Sequence, residues 1–152
     1  MKSIYLIVGL GNPSSEYEKT FHNVGHLMVD FLGRGIKSET FMNKSGEFVK
    51  QELKKAKAKP ENLLVIHDDS DIELGKFKFS FGRNSAGHKG VQNIIDQLKT
   101  KFFWRLRIGI RPVFTKTPAK REKADQLVLK EIKPAQMELL QATFKEAVEQ
   151  LK

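Results

Sequence analysis

Asn12, His22 and Asp68 are the residues from which this sequence could build chemistry. Asn12 follows the apolar run "IYLIVGLG", His22 stands where a helical pattern begins, and Asp68 closes a second apolar run, "NLLVIH". A carboxylate that fixes an imidazole tautomer and steadies its protonated form makes that imidazole a general base. There is no cysteine to activate and no serine in a nucleophile-elbow context, so the available nucleophile is water. The side-chain amides of Asn12 and Asn43 would suit a carbonyl or its developing oxyanion.

Each residue also has a plainer role. His22 could be a helix cap or a surface residue, and Asn12 before Pro13 is an ordinary turn pair. Asn43 could cap the next helix. The acidic stretch from Asp68 to Asp71 could be turn and cap chemistry, or a weak Mg²⁺ site. "GHKG" (87–90) could be no more than a loop entering a helix.

A nucleotide-binding role for "GLGNPS" fails on spacing. Ser14 occupies the position where a dinucleotide fingerprint needs its third glycine. Pro13 removes a backbone donor from a loop that would have to bind phosphate, and no Walker lysine follows.

The elements that must hold these groups follow from hydrophobic periodicity. "IYLIVG" (4–9) reads as a central strand, and Val24, Leu27, Met28, Phe31 and Leu32 form a helical stripe stopped by Gly33 and Gly35. A second helix is expected from about Lys44 into "KKAKAK", ended by Pro60. "NLLVIH" (62–67) is a buried strand followed by an acidic turn, "DDSDIELG", and "KFKFSF" (76–81) alternates as a half-exposed strand. "GRNSAGHKG" is a flexible loop, Val91, Ile94, Ile95 and Leu98 mark a third helix, and "WRLRIGI" (104–110) alternates as a strand. A basic loop (111–124) leads to a C-terminal helix entered through Pro134 and lined by Met137, Leu140, Phe144, Val148 and Leu151. Strands alternating with helices predict one α/β domain over residues 1–152, with helices covering a mostly parallel or mixed sheet. In such sheets ligands bind at the carboxyl edge of the strands, where Asn12 and Asp68 both fall.

Charge points to a polyanionic partner. The chain carries 27 Lys+Arg against 18 Asp+Glu, net +9, and each phosphate neutralised by a protein cation releases condensed counterions. Lys99, Lys101, Arg105, Arg107, Arg111, Lys116, Lys120, Arg121 and Lys123 are opposed only by Glu122, with Phe102, Phe103, Trp104 and Phe114 interleaved. Basic and aromatic residues together suit a nucleic-acid surface. Neither a signal peptide nor a membrane-length apolar run is evident. The absence of cysteine suits a cytoplasmic protein.

In order, "LIVGLGNPSSEYEKTFHNVG", "TFMNKSG", "LLVIHDDSDIELGKFKF", "AGHKGVQNII" and "FWRLRIGIRP" resemble the bacterial-type peptidyl-tRNA hydrolase family. The resemblance covers most of the chain. It implies an α/β fold with a central mixed sheet, and cleavage without a cofactor of the ester joining a peptide to the 3′ ribose of tRNA. By position it implies His22 as the base that activates water, with Asp68 as its partner. Asn12 and Asn43 would bind the peptide near the ester, Tyr17 and Met42 would shape the cleft, and His88 would lie in a mobile segment beside it. Lys76, Lys78 and Arg107, with Arg105 nearby, resemble positions that meet tRNA phosphate. A monomer is expected.

Two departures qualify the resemblance. "GHKG" places Lys89 where the family has an asparagine that helps position substrate and water; lysine donates hydrogen bonds but cannot accept one. Only "GRGIKSE" separates the first helix from "TFMN", so a hairpin and a further strand found in the family are expected to be reduced or missing. These departures leave an alternative, a tRNA- or RNA-binding relative with weakened or lost turnover.

Overall fold

The apolar N-terminal run forms β1 (Leu6–Gly9), an interior strand of a five-stranded sheet. The structure is a computed structural model, and it describes residues 3–113 and 124–152. β1 leads through short 3₁₀ turns to α1 (Val24–Leu32), which ends at Gly33 in the left-handed conformation, its N–H donating to Val29 O. β2 (Ile36–Lys37) follows, then α2 (Ser45–Ala56), β3 (Leu63–Glu73), β4 (Phe77–Phe81), α3 (Lys89–Leu98), β5 (Trp104–Arg111), α4 (Ala124–Leu127) and α5 (Pro134–Leu151).

The strand order is β2-β1-β3-β5-β4. β1 pairs in parallel with β2 and β3, β3 pairs in parallel with β5, and only β4 runs antiparallel. The mostly parallel sheet expected from the sequence is therefore present. Alternate side chains along each strand enter opposite layers. Ile7, Leu64, Ile66, Leu106 and Ile108 pack with α1 and α5, while Val8, Leu63, Val65 and Phe103 pack with α2 and α3. Both faces are covered, as parallel strands require.

A close glycine crossing sets where α1 begins. A Cβ on Gly25 would strike Ile66 O, and one on Gly9 would strike Gly25 O. Without side chains there, the first turn of α1 rests directly on β1 and β3 and brings the preceding residues to the end of β3.

The chain departs from the sequence reading in several places. The "DDSDIELG" stretch is not a turn: β3 continues through it to Glu73 and stays paired with β5, with an irregularity between Asp69 and Glu73. Aspartates are poor strand formers, but here tertiary partners satisfy the charges of Asp68 and Asp69. The reversal falls later, with Gly75 at φ +99. α2 ends before Pro60, because Lys57 adopts the left-handed conformation and its N–H reaches back to Leu53 O and Lys54 O. Between α1 and the "TFMN" turn, β2 is reduced to the pairs Val8↔Ile36 and Gly9↔Lys37. Part of the basic loop, with Phe114, Lys116, Lys120, Arg121 and Lys123, lies outside the described residues.

Candidate active site

His22 belongs to the 3₁₀ turn Phe21–Asn23 that precedes α1. Its N–H donates to Val128 O at 2.8 Å, and that of Phe21 donates to Lys130 O at 3.1 Å. The segment after α4 thus clasps the turn. Asp68 lies on β3, two residues beyond Ile66, where the β1–β3 pairing ends, with Ile108 as its β5 partner.

The two groups meet. His22 Nδ1 lies 2.9 Å from Asp68 Oδ2 and 3.0 Å from Oδ1. A carboxylate only accepts, so Nδ1 carries the proton and Nε2 keeps its lone pair. Nε2 has no partner among the described residues.

His88 approaches the same carboxylate from the start of α3. Its Nδ1 accepts the Val91 N–H at 3.2 Å, as an N-cap does, and its Nε2 donates to Asp68 Oδ1 at 2.9 Å. Opposite tautomers are therefore fixed on the two rings by what each other nitrogen does. Burial alone would raise the Asp68 carboxyl, but His88 and then His22 outweigh it and hold the group well below the usual carboxylate range. Asp68 is ionised whenever the site is folded near neutrality. His22, Asp68 and His88 also form a possible ligand set for a metal ion, their atoms lying within 4.8 Å. Their contacts of 2.9–3.0 Å to Asp68 are those of charge-assisted hydrogen bonds, which link the three groups into one network.

His67, the residue before Asp68, faces the cleft from inside the sheet. Its Nδ1 donates to Asp68 O at 2.7 Å, and its ring meets His88 edge-on at 4.8 Å. Burial, and then His88, lower its pKa to about 3, so the ring is neutral. Its Nε2 has no partner among the described residues.

Asn12 is held on three sides. Its N–H donates to Asn23 Oδ1 at 2.8 Å, its carbonyl accepts from Asn23 Nδ2 at 2.9 Å, and its Oδ1 accepts the Met42 N–H at 2.8 Å. The last bond fixes the amide's orientation and leaves its NH₂ without a partner among the described residues, at the cleft. Met42 is buried, and a Cβ on Gly90 would strike its sulfur, so the second glycine of "GHKG" lets α3 close against the "TFMN" turn.

These residues line one cleft of about 550 Å³. It brings together Asn12, His22, Met42, Asn43, Asp68, His88 and Lys89. Asn43 and Lys89 are exposed at its mouth. Tyr17 is half-buried and does not line the cleft; it packs edge-on at 6.3 Å against Phe41, which does. Sequence reasoning missed Phe41 and the apolar wall from Val128 and Leu129, which line the cleft, and Asn23, which holds the Asn12 backbone. Only the packing of distant segments reveals Phe41 and that wall; Asn23 carried a signal, its place beside His22.

The basic positions divide. Lys76, just before β4, and Lys78, on it, are exposed, with Lys76 Nζ 3.3 Å from Glu73 Oε2. Arg105 and Arg107, expected to face phosphate, are inside the fold at 1% and 5% exposure. Arg107 Nε donates to Asp69 Oδ2 at 2.8 Å and its Nη1 to Ser80 Oγ at 3.1 Å. Arg105 lies over the Phe103 ring at 4.2 Å and donates to Lys101 O. Burial, then Arg107 and Arg83, lower its pKa to about 10. The correction has a physical cause: β5 is a central strand, so its alternating arginines point into a packed layer rather than to water.

A family model described as "Peptidyl-tRNA hydrolase" matches residues 6–37 and 34–152. Among curated relatives, the peptidyl-tRNA hydrolase of Thermodesulfovibrio yellowstonii is 40% identical over 173 residues, covering 96% of this chain and 89% of that protein. That of Aquifex aeolicus is 34% identical over 171 residues, covering 95% and 86%. A crystal structure of peptidyl-tRNA hydrolase from Acinetobacter baumannii superimposes with a TM-score of 0.86 at 30% identity, covering 99% of this chain and 88% of that one.

Proposed function

The chain belongs to the peptidyl-tRNA hydrolase family, and on that premise we propose that it hydrolyses peptidyl-tRNA with a water activated by His22. The observation that carries this reading is the His22–Asp68 contact, which leaves an unprotonated Nε2 at the cleft.

The reaction is the hydrolysis of the ester between peptide and tRNA. His22 Nε2 takes a proton as the water oxygen bonds to the ester carbonyl carbon. Asp68 stabilises the imidazolium that forms. The Asn12 NH₂ donates to the oxygen on which charge develops, with Asn43 and Lys89 at the mouth binding the peptide and the adjoining substrate. Collapse breaks the bond to the ribose oxygen, and the proton held by His22 passes to that oxygen. Free tRNA and peptide leave. No step needs a cofactor.

Lys89 is the first residue of α3, exposed, and outside the His22–Asp68–His88 contacts. Its charge suits substrate phosphate, and nothing in the site geometry favours the binding-only alternative. Lys76 and Lys78 would meet tRNA phosphate, a reading their exposure supports, and Arg107 acts by holding Asp69. A single-domain monomer acting in the cytoplasm belongs to the same proposal. No helix among the described residues is long and apolar enough to cross a membrane.

The test is hydrolysis of a peptidyl-tRNA substrate under single-turnover conditions, wild type beside His22→Ala. Wild-type cleavage and near-abolition in the folded variant are expected. Undiminished cleavage by His22→Ala would sink the mechanism.

A further inference from the structure

An aromatic cluster lies at the far end of the β4–β5 ladder from the cleft. Phe81 pairs with Trp104 at the last rung, whereas Phe77 pairs with Ile108, the β5 partner of Asp68. The two rungs are separated by about 13 Å along the strand, at ~3.3 Å per residue. Phe81 is 44% exposed and Phe102 56% exposed. Their rings lie 6.1 Å apart at 35°, and Phe81 meets Trp104 at 5.2 Å. Gly82 leaves the space that the Phe102 ring occupies, since a Cβ there would strike it.

Exposed aromatic rings at the end of an edge strand invite partners, and proteins more often place charge there. Cations lie near the rings in the chain, and one stands against them. Lys101 Nζ stands 6.0 Å from the Phe102 centroid, and Arg83 lies two residues past the end of β4. A hollow of about 450 Å³ adjoins, lined by Asn84, Lys99, Thr100 and Lys101 with Asp96 as its one acid. Neither Arg83 nor Lys99 has a carboxylate partner among the described residues. A second copy of this chain would bring these like charges together. An RNA strand would neutralise them, and its bases would stack on the rings.

We propose that Phe81 and Phe102, flanked by Arg83, Lys99 and Lys101, form a stacking platform for unpaired nucleotides of RNA, outside the catalytic cleft. The use of such a platform rests on the RNA-borne substrate proposed above. It extends the substrate's footprint along the β4 edge of the sheet, which carries Lys78 and is preceded by Lys76.

Trp104 is the only tryptophan and reports the site directly. Titration with a short unstructured oligouridine should quench its emission. Phe81→Ser/Phe102→Ser should weaken that binding by about five- to a hundredfold, while Phe102→Trp retains it and binding of duplex RNA of equal length stays unchanged. Three results would overturn the proposal: an unchanged oligouridine Kd in the double variant, an equal loss for single-stranded and duplex RNA, or a wild-type dimer dissolved by the double substitution with oligouridine binding unaltered. Peptidyl-tRNA turnover is measured in parallel. A wild type that binds oligouridine through these rings but does not hydrolyse substrate would overturn the proposed function and leave the platform standing.

Discussion

His88 Nε2 donates to Asp68 Oδ1 at 2.9 Å while the other nitrogen of the same ring caps α3. The start of the helix thereby sets the tautomer that steadies the carboxylate on which His22 depends. His88→Ala should lower kcat by roughly ten- to a hundredfold, less than the loss of an acid–base group itself would cost. Asp68→Asn should lower it further, about a thousandfold or more, because the amide no longer enforces the required His22 tautomer. Single-turnover rates across pH, with circular dichroism to check folding, measure both. A His88→Ala rate equal to wild type would remove His88 from the network.

Asn12 combines two tasks that one pair of variants separates. Its Oδ1 holds the Met42 N–H, and its NH₂ is left for substrate. Asn12→Asp keeps an acceptor for Met42 but loses the donor. It should therefore melt near wild type and lose about a hundred- to a thousandfold in kcat. Asn12→Ala loses both functions and should also lower Tm.

Asp69 and Arg107 form a buried ion pair, at 9% and 6% side-chain exposure. Asp69→Ala leaves an unpaired guanidinium inside the fold and should cost about 3–5 kcal/mol. For a chain of this size that is a Tm loss of roughly 10 °C. The double variant Asp69→Ala/Arg107→Leu should recover much of it, as thermal melts would reveal; a double variant no better than the single one would mean that the arginine is not the source of the loss.

Two histidines make the fold acid-sensitive. Burial lowers His26 to about 4, with its Nε2 3.1 Å from Ser38 Oγ, and lowers His67 to about 3. The unfolded chain binds more protons than the folded one below the ordinary value of 6.5, so stability is full above that pH. It declines as pH falls towards the folded values. His26 alone should account for about 2 kcal/mol at pH 4, allowing for its partial exposure. Tm between pH 7 and 4 should therefore fall less steeply in His26→Gln, which keeps a partner for Ser38.

The parts of the fold legible in the sequence are those set by local periodicity. The stripe from Val24 to Leu32 and the run from Leu6 to Gly9 read as they fold. The "DDSDIELG" stretch did not, because its strand character comes from partners far away in sequence: His22 and His88 for Asp68, and Arg107 for Asp69. The same blindness put Arg105 and Arg107 on a surface. Alternating charge along a strand looks like a solvent-facing edge until the neighbouring strand is known. His22, Asp68 and Asn12 were legible as residues able to do chemistry at one carboxyl edge of a parallel sheet, and the resemblance added their roles. Phe41 had no spacing to mark it, and becomes part of the site only because the "TFMN" turn packs beside Asn12.

The turn that carries His22 is hydrogen-bonded to the carbonyls of Val128 and Lys130. More than a hundred residues separate donor and acceptor in the chain, by the numbering of His22 and Val128. While it is being synthesised, this polypeptide is itself esterified to a tRNA. The turn of His22 gains that backbone support only after the segment following α4 has been made and has left the ribosome, so the order of synthesis itself defers assembly of the site until well after His22 and Asp68 have both been made.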